Sequence, residues 1–340
     1  MKLSIVDQSP VPAGFTAADA LNNTIQLARL ADRLGYERYW IAEHHATASL
    51  ACPAPEVMLA RLGAETKSIR IGSGGVMLPH YSPTKVAEQF KVLHALYPGR
   101  VDLGLGRAPG GSPLDSYALQ RNRESQQDIG ADFPRQLMEL FAWFHKSFPI
   151  EHPFARLELS PDIPGMPELW LLGSSMWSAA AAAQVGLPYA FAHFIDPIPT
   201  RNAIEHYRAH FRKGEIDSPR VILALGAIAA ETDEEAQCHY SSVRVWRRRI
   251  QTGGRGPIPT PEQALEELAA GPEPPPMRPE RGEWPRLFVG EVSRVRDQLL
   301  DMASVLGIDE IMIVTVVHSH QARMRSYELL AKAFGLKPRM

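Results

Sequence analysis

The chain has 340 residues, enough to bury one large core or two ordinary ones. Hydrophobic residues make up 45% and charged residues 22%, which excludes wholesale disorder, and a formal net charge of −2 gives no electrostatic footprint for nucleic acid or an anionic membrane. Cys52 and Cys238 form no metal-binding pattern and fit a reducing compartment, and neither a leader nor an apolar run of ~18 residues is visible. We therefore expect a soluble cytoplasmic protein with no metal site and with no nucleic-acid or membrane partner.

The first third of the sequence alternates short apolar runs with amphipathic helical segments. The apolar runs predict strands at 2–7, 39–42, 69–76 and 101–105. Helical spacing of apolar residues follows the first three of them, at about 19–34, 55–66 and 83–96, with Asp19 as the N-cap of the first helix. Such strand–helix repetition indicates a parallel sheet with right-handed crossovers, in either an open or a closed-barrel arrangement.

Beyond Arg107 the alternation continues, with two interruptions. Further strands are predicted at 169–172, 189–192, 221–230, 288–290 and 310–317. The total is close to eight strand–helix units, so we predict an α/β fold of the (β/α)8 TIM-barrel type, with a Pro-rich insertion before the last strands. The interruptions, at about 108–132 and 252–287, are interpreted as excursion loops of one domain spanning 1–340, and the second of them as a mobile lid.

Glu43, His44 and His45 follow the second predicted strand, at the end where a parallel barrel keeps its active site. Neighbouring side chains at a strand end point in alternate directions, so one imidazole can face the barrel mouth while the other faces the wall. The alternatives are hydrogen bonding within the loop and metal binding. Metal binding is disfavoured because no H-E-x-x-H spacing is present.

Gly74 and Gly75 interrupt the third predicted strand. Glycine inside a strand weakens it unless a ligand or another backbone comes close. The pair therefore indicates either a planar ring system lying against this strand or a bulge that helps the barrel to curve.

Two other strand ends carry groups that suit an anion. Arg107 lies in the glycine-rich stretch at 104–110, which is not a dinucleotide fingerprint because Pro109 stands where a helix has to begin. Its guanidinium can fork onto phosphate or carboxylate, or lie solvated on the surface. The Gly-Ser-Ser turn at 173–175 precedes a predicted helix, whose N-terminal N–H groups and serine hydroxyls form either an anion site or a simple N-cap.

Taken in order, these motifs resemble the bacterial luciferase-like family of flavin-dependent monooxygenases. The sequence has E-H-H at 43–45, L-P-x-x-x-P at 78–83 and G-R-V-D-L-G-L-G-R at 99–107. It also has S-x-x-S at 175–178, A-A-x-x-G-L-P at 182–188 and Val-Gly at 289–290. Each motif alone is weak, whereas their common order over nearly the whole barrel is specific.

The resemblance implies a barrel that holds FMN at its C-terminal mouth and uses the reduced flavin with O2 to oxygenate a small organic substrate. By similarity, His44 is the general base or hydrogen-bond partner at the reacting centre. The residues that the resemblance assigns to flavin binding are Ser73, Gly74 and Gly75 behind the ring system, on a strand that can carry a non-prolyl cis peptide, then Arg107, Arg135, Gly173, Ser174, Ser175 and Ser178 around the phosphate, and His193 beside the ring.

The sequence departs from the light-emitting members of the family at four positions. Those members have a cysteine, an acidic residue, a tryptophan and a proline where this chain has Gly106, Ser174, His193 and Val292. The departures disfavour bioluminescence and a long-chain aldehyde substrate. His44 and Arg107, which the family's non-catalytic subunit lacks, indicate a catalytic chain.

The partners and alternatives follow from the same resemblance. No nicotinamide fingerprint is visible, so a separate flavin reductase is expected to supply FMNH2, and a homodimer is expected as the assembly. Two alternatives stay open, a dehydrogenase that uses the deazaflavin F420 on the same barrel and a flavin-binding protein without turnover. Titration with FMN and with F420 distinguishes the first alternative, and assays of turnover distinguish the second.

Overall fold

The computed structural model describes residues 1–108, 110–119, 129–271 and 282–339. The strands of the described residues are β1 (Lys2–Asp7), β2 (Arg38–Ile41), β3 (Arg70–Met77), β4 (Val101–Gly106), β5 (Glu168–Gly173), β6 (Tyr189–Ala192), β7 (Val221–Ala230), β8 (Leu287–Glu291) and β9 (Glu310–Val314). The α-helices are α1 (Ala17–Leu34), α2 (Pro55–Glu65), α3 (Pro83–Leu96), α4 (Pro113–Leu119), α5 (Phe133–His145), α6 (Met176–Val185), α7 (Thr200–Ala209), α8 (Asp233–Gln251), α9 (Pro261–Ala269), α10 (Val292–Leu306) and α11 (His320–Ala333). None of these described helices is long and apolar enough to cross a membrane.

Eight of the strands close into a parallel barrel. From β1 to β7 each strand pairs with the next, β7 pairs with β9, and β9 pairs with β1. The predicted TIM-barrel fold is therefore confirmed. β8 pairs with 226–230 of β7, whose first half pairs with β6 and β9, so it extends the wall without joining the ring.

The barrel interior is packed with side chains. Trp40 and Trp170 meet edge-to-face inside it, with ring centroids 5.5 Å apart, and both are fully buried. Alternate residues of the same strands, such as Tyr39 and Leu171, point outward and pack against the helices. Because side chains fill the centre, we expect a small molecule to bind at an end of the barrel and not inside it. In TIM barrels the binding site lies at the C-terminal end.

Charged residues fill the opposite, N-terminal end. The Arg38 guanidinium donates to Asp102 Oδ2 at 2.7 Å through Nη1 and to Glu310 Oε1 at 2.9 Å through Nε. Ser4 Oγ donates to the same Glu310 oxygen at 2.6 Å. Further ion pairs bring in Arg70, Glu168 and Arg220. We call these six charged residues the barrel floor.

The second excursion passes over the loops at the barrel mouth. The Ile258 N–H donates to Val11 O at 3.0 Å and its carbonyl accepts from the Ala13 N–H at 2.8 Å, after β1. Arg255 O accepts from the Ala48 N–H at 3.1 Å, after β2. The excursion also contains the helix α9.

Parts of both predicted excursions lie outside the described residues. These parts are 109 and 120–128 in the first excursion and 272–281 in the second. The mobile-lid interpretation of 252–287 therefore stays a prediction.

Candidate functional site

Glu43 organises the loop after β2. Its carboxylate is fully buried, and Oε1 accepts from the Tyr81 hydroxyl at 2.8 Å and lies 2.6 Å from His45 Nε2. Oε2 accepts from the Met77 N–H at 3.0 Å, at the end of β3. A buried carboxylate is stable when it is fully hydrogen-bonded. Glu43 therefore ties the loop that carries His44 to the end of β3 and to Tyr81.

His44 is held between these contacts but keeps a free ring nitrogen. Its backbone N–H donates to Cys52 O at 3.0 Å. Nδ1 is buried and has no hydrogen-bond partner among the described residues. Burial lowers the pKa of the ring to about 4, against the opposing effect of Glu43. At neutral pH the imidazole is thus uncharged, able to donate at one nitrogen and accept at the other.

The paired glycines of β3 lie against protein atoms. A Cβ on Gly75 would lie 2.8 Å from Gly104 O, and a Cβ on Gly74 would lie 3.0 Å from Val6 Cγ2. The peptide bond between the two is cis, as the resemblance allows, and the register with β4 shifts between Ser73 and Val76. Barrel packing therefore accounts for both glycines without a ligand, and the flavin contact stays a prediction.

Ser73 is tied to the neighbouring strand. Its hydroxyl donates to Gly104 O at 2.9 Å and accepts from the Gly104 N–H at 3.0 Å. Ser73 is fully buried. It therefore supports the backbone against which the ring system is predicted to lie.

The structure brings Arg107 to the N-terminus of α6. The Arg107 guanidinium lies over the ring of Trp177, with the Cζ atom 4.1 Å from the ring centroid. Ser175 is the N-cap of α6 and forms a capping box with Ser178, whose hydroxyl donates to Ser175 O at 2.8 Å. The arginine and the first turn of a helix, both of which attract anions, thus meet at the barrel mouth.

Gly173 and Ser174 complete this turn. A Cβ on Gly173 would collide with the Ser178 side chain, so the capping arrangement requires glycine there. Ser174 is partly buried between the end of β5 and the N-cap. The predicted capping and anion-binding roles are compatible, because the cap leaves other N–H groups of the first turn unpaired.

Two predicted site residues have protein partners of their own. The Arg135 side chain is 81% exposed, and its Nε pairs with Asp132 Oδ1 at 2.7 Å. His193 is fully buried, with Nδ1 2.7 Å from Thr200 Oγ1 and Nε2 3.0 Å from Pro285 O, and burial lowers its pKa to about 4. Their flavin-binding roles stay predictions.

Sequence reasoning missed Tyr81 and Trp177. Tyr81 stands inside the L-P-x-x-x-P motif and Trp177 inside S-x-x-S, at positions that those motifs leave open. The usable signal is an aromatic residue beside a motif at a strand end. Its partner across the site cannot be read from the sequence.

Comparison with known proteins identifies the family. A family model described as luciferase-like monooxygenase matches residues 1–310. The N-acetyl-S-alkylcysteine monooxygenase of Bacillus subtilis (strain 168) is 37% identical over 335 residues, covering 98% of both chains. The crystal structure of apo-MsnO8 superposes with a TM-score of 0.90 at 49% identity, covering 99% of both chains.

A more distant structure shares the fold alone. It is the oxygenating constituent of 3,6-diketocamphane monooxygenase from Pseudomonas putida in complex with FMN, with a TM-score of 0.71 and 20% identity, covering 100% of this chain and 99% of that one. The family match and the full-length relatives together settle the membership. This chain belongs to the luciferase-like monooxygenase family.

Proposed function

We propose that this chain is a flavin-dependent monooxygenase that uses reduced FMN and O2 to oxygenate a small organic substrate. The observation that carries the proposal is the meeting of Arg107 with the N-terminus of α6 at the barrel mouth. A guanidinium fork and free helix N–H groups suit a phosphate monoester such as that of FMN. The related fold that contains FMN supports the same choice of cofactor.

The remaining site residues fit the rest of the cofactor. The ring system is proposed to lie against the strand at Ser73, Gly74 and Gly75. His44, uncharged at neutral pH, lies just beyond the end of β2, next to the strand against which the ring system is proposed to lie. Bound reduced flavin supplies the electrons for O2 activation, and His44 holds or moves the proton at the reacting centre.

We further propose that a separate reductase supplies FMNH2, that the excursion at 252–287 excludes water as a lid, and that the chain works as a homodimer. The absence of a nicotinamide fingerprint from the sequence supports external reduction. The hydrogen bonds from Ile258 to the loop after β1 support a cover over the mouth.

The test is a cofactor titration followed by turnover. The purified chain is titrated with FMN and with F420, and binding is measured by absorbance and calorimetry. Reduced FMN is then supplied with O2 to a panel of small substrates. The panel includes thioethers of the N-acetyl-S-alkylcysteine type, because a full-length relative is named for that activity. Mass spectrometry detects a product that gains one oxygen atom.

Each outcome decides between the proposal and its alternatives. FMN binding with an oxygenated product, lost in His44→Ala while FMN still binds, supports the monooxygenase. Binding of F420 in preference to FMN would identify a deazaflavin dehydrogenase instead. FMN binding without turnover of any substrate or leakage of H2O2 would identify a non-catalytic flavin-binding protein.

A further inference from the structure

We propose that Trp177 is a positioning residue whose indole holds the Arg107 guanidinium in place to receive the anionic end of the cofactor. The inference rests on the proposed function, because it takes Arg107 to be a ligand of the FMN phosphate. It adds a residue from a different element to that site. It also assigns a reason for an aromatic side chain in the first turn of α6.

Arg107 needs such a partner. It directly follows β4, its side chain is exposed, and the contact that its guanidinium makes within the described residues is with the ring of Trp177. A long exposed side chain without a partner samples many rotamers, and binding an anion then costs the entropy of ordering it. The ring of Trp177, 4.1 Å from Arg107 Cζ, reduces that cost by ordering the guanidinium beforehand.

Trp177 is itself held in place by the body of the protein. Its ring packs edge-to-face against Phe133, with centroids 5.9 Å apart and an interplanar angle of 73°. Phe133 is fully buried at the start of α5. A buried ring thus orients the indole, and the indole orients the guanidinium. The three side chains form a chain of contacts that runs from the core to the mouth.

The position of Trp177 in α6 places the Arg107 guanidinium near the start of that helix. It lies between the N-cap Ser175 and the buried Ser178, in the turn whose N–H groups point out of the helix. The arginine is therefore held beside those N–H groups. Tryptophan gives the strongest cation–π contact of the aromatic residues, and a guanidinium lying over a ring keeps its N–H donors free for an anion.

A simpler explanation is that Trp177 only packs α6 against α5. Under that explanation, replacing it alters the stability of the fold and affects every flavin ligand alike. The positioning role affects only a ligand that carries a phosphate, and only while Arg107 is present. Riboflavin, which has the same ring system without the phosphate, distinguishes the two explanations.

The experiment is a double-mutant cycle read out with two flavins. Wild type, Trp177→Leu, Arg107→Met and the double variant are titrated with oxidised FMN and with riboflavin, following flavin fluorescence. We expect Trp177→Leu to weaken FMN binding by roughly 3- to 10-fold and riboflavin binding by far less. Because both residues act on the same phosphate, the double variant should bind FMN no more weakly than Arg107→Met. Trp177→Phe, which keeps a ring, should fall between wild type and Trp177→Leu.

Every other outcome is also informative. An equal loss of FMN and riboflavin affinity in Trp177→Leu, or additive effects in the double variant, would overturn the positioning role. If Trp177→Leu unfolds, Trp177→Phe carries the same comparison. An FMN affinity of Trp177→Phe equal to that of wild type, at both low and raised salt, would then count against the proposal. If Arg107→Met leaves FMN affinity unchanged, the phosphate assignment fails first, which distinguishes a failure of the proposed function from a failure of this inference.

Discussion

His44 and His193 lie in surroundings that disfavour their charged forms. Burial is the main cause at both, and it lowers each pKa to about 4. In the unfolded chain a histidine titrates near ~6.5. Between these values the unfolded chain binds protons that the folded chain does not. The free energy of unfolding therefore falls as the pH falls from about 6.5 towards 4.

We predict that His44→Gln makes stability less sensitive to acid. Removing one such histidine should lower the slope of unfolding free energy against pH by up to about 1.4 kcal/mol per pH unit between pH 6.5 and 5. Urea unfolding at several pH values measures the slope. His210→Gln, at an exposed position, is the matched control. A slope equal to that of wild type in His44→Gln would show that the ring is charged in the fold.

The glycines at the ends of β3 and β4 differ in the space around them. A Cβ on Gly75 would lie 2.8 Å from Gly104 O, whereas the nearest atom to a Cβ on Gly106 is 3.8 Å away. We predict that Gly75→Ala lowers the free energy of unfolding by about 1–3 kcal/mol, because a backbone oxygen has to move. Gly106→Ala should change it by less than about 0.5 kcal/mol. Equal effects in urea unfolding would contradict the strand-packing explanation of Gly75.

At the scale of the elements, local sequence signals were sufficient to predict that a helix or strand exists and approximately where it begins and ends. The helix predicted at 55–66 spans Pro55–Glu65, and the strand predicted at 221–230 spans Val221–Ala230. The helix shows in the spacing of its apolar residues because it buries one face, and the strand shows as a continuous apolar run because both of its faces are buried. The prediction that Asp19 is the N-cap of α1 was wrong. Thr16 caps the helix, and Asp19 is its capping-box partner three residues later. The T-x-x-D spacing of a capping box was the signal for it.

Pairings across the fold were not predictable from the sequence. β8 reads like any other strand, yet it pairs outside the barrel ring. Glu43 bonds to Tyr81, 38 residues away, and to Met77, 34 residues away. These contacts depend on which strand ends lie side by side. A single sequence carries the residue types for such contacts but not their pairing.

The excursion over the mouth is fastened by Arg255. Its guanidinium donates to Ala46 O at 2.7 Å and to the Asp115 carboxylate at 2.9 and 3.0 Å. The loops after β2 and β4 are thereby joined to the segment that follows α8. The neighbouring guanidinium lowers the pKa of Asp115 to about 2, so the pair stays charged at neutral pH.

We predict that Arg255→Met loosens this fastening without unfolding the barrel. Amide exchange should become faster at 252–258 and 112–119, while the free energy of unfolding falls by no more than about 1 kcal/mol, because the pair is partly exposed. Exchange measured by mass spectrometry tests both statements. Arg325→Met removes an exposed pair with Glu231 elsewhere on the surface and is the control. Unchanged exchange in both segments would show that the backbone hydrogen bonds of Ile258 suffice.

At the scale of the whole molecule, the two ends of the barrel have different tasks. The candidate site occupies the C-terminal mouth, and the barrel floor closes the N-terminal end with paired charges from β2, β3, β4, β5 and β9 and from the residue before β7. From the sequence alone these residues would be expected to face solvent, because each is a charged residue at or next to the start of a strand. Closure of the barrel buries Arg38, Asp102 and Glu310, whereas Arg220 stays exposed at the edge of the floor. In TIM barrels this end contributes to stability, and the chemistry lies at the other end.

Arg38 is the centre of that floor, with its side chain 4% exposed and bonded to Asp102 and Glu310. We predict that Arg38→Met lowers the free energy of unfolding by about 3–5 kcal/mol, because the buried Glu310 loses its cation and Asp102 keeps only Arg70. Arg325→Met, on an exposed pair, should cost no more than about 1 kcal/mol. Adding Glu310→Gln to Arg38→Met should recover part of the loss. FMN affinity of the folded variant should match wild type, and a weakened affinity would mean that the floor shapes the mouth through the barrel.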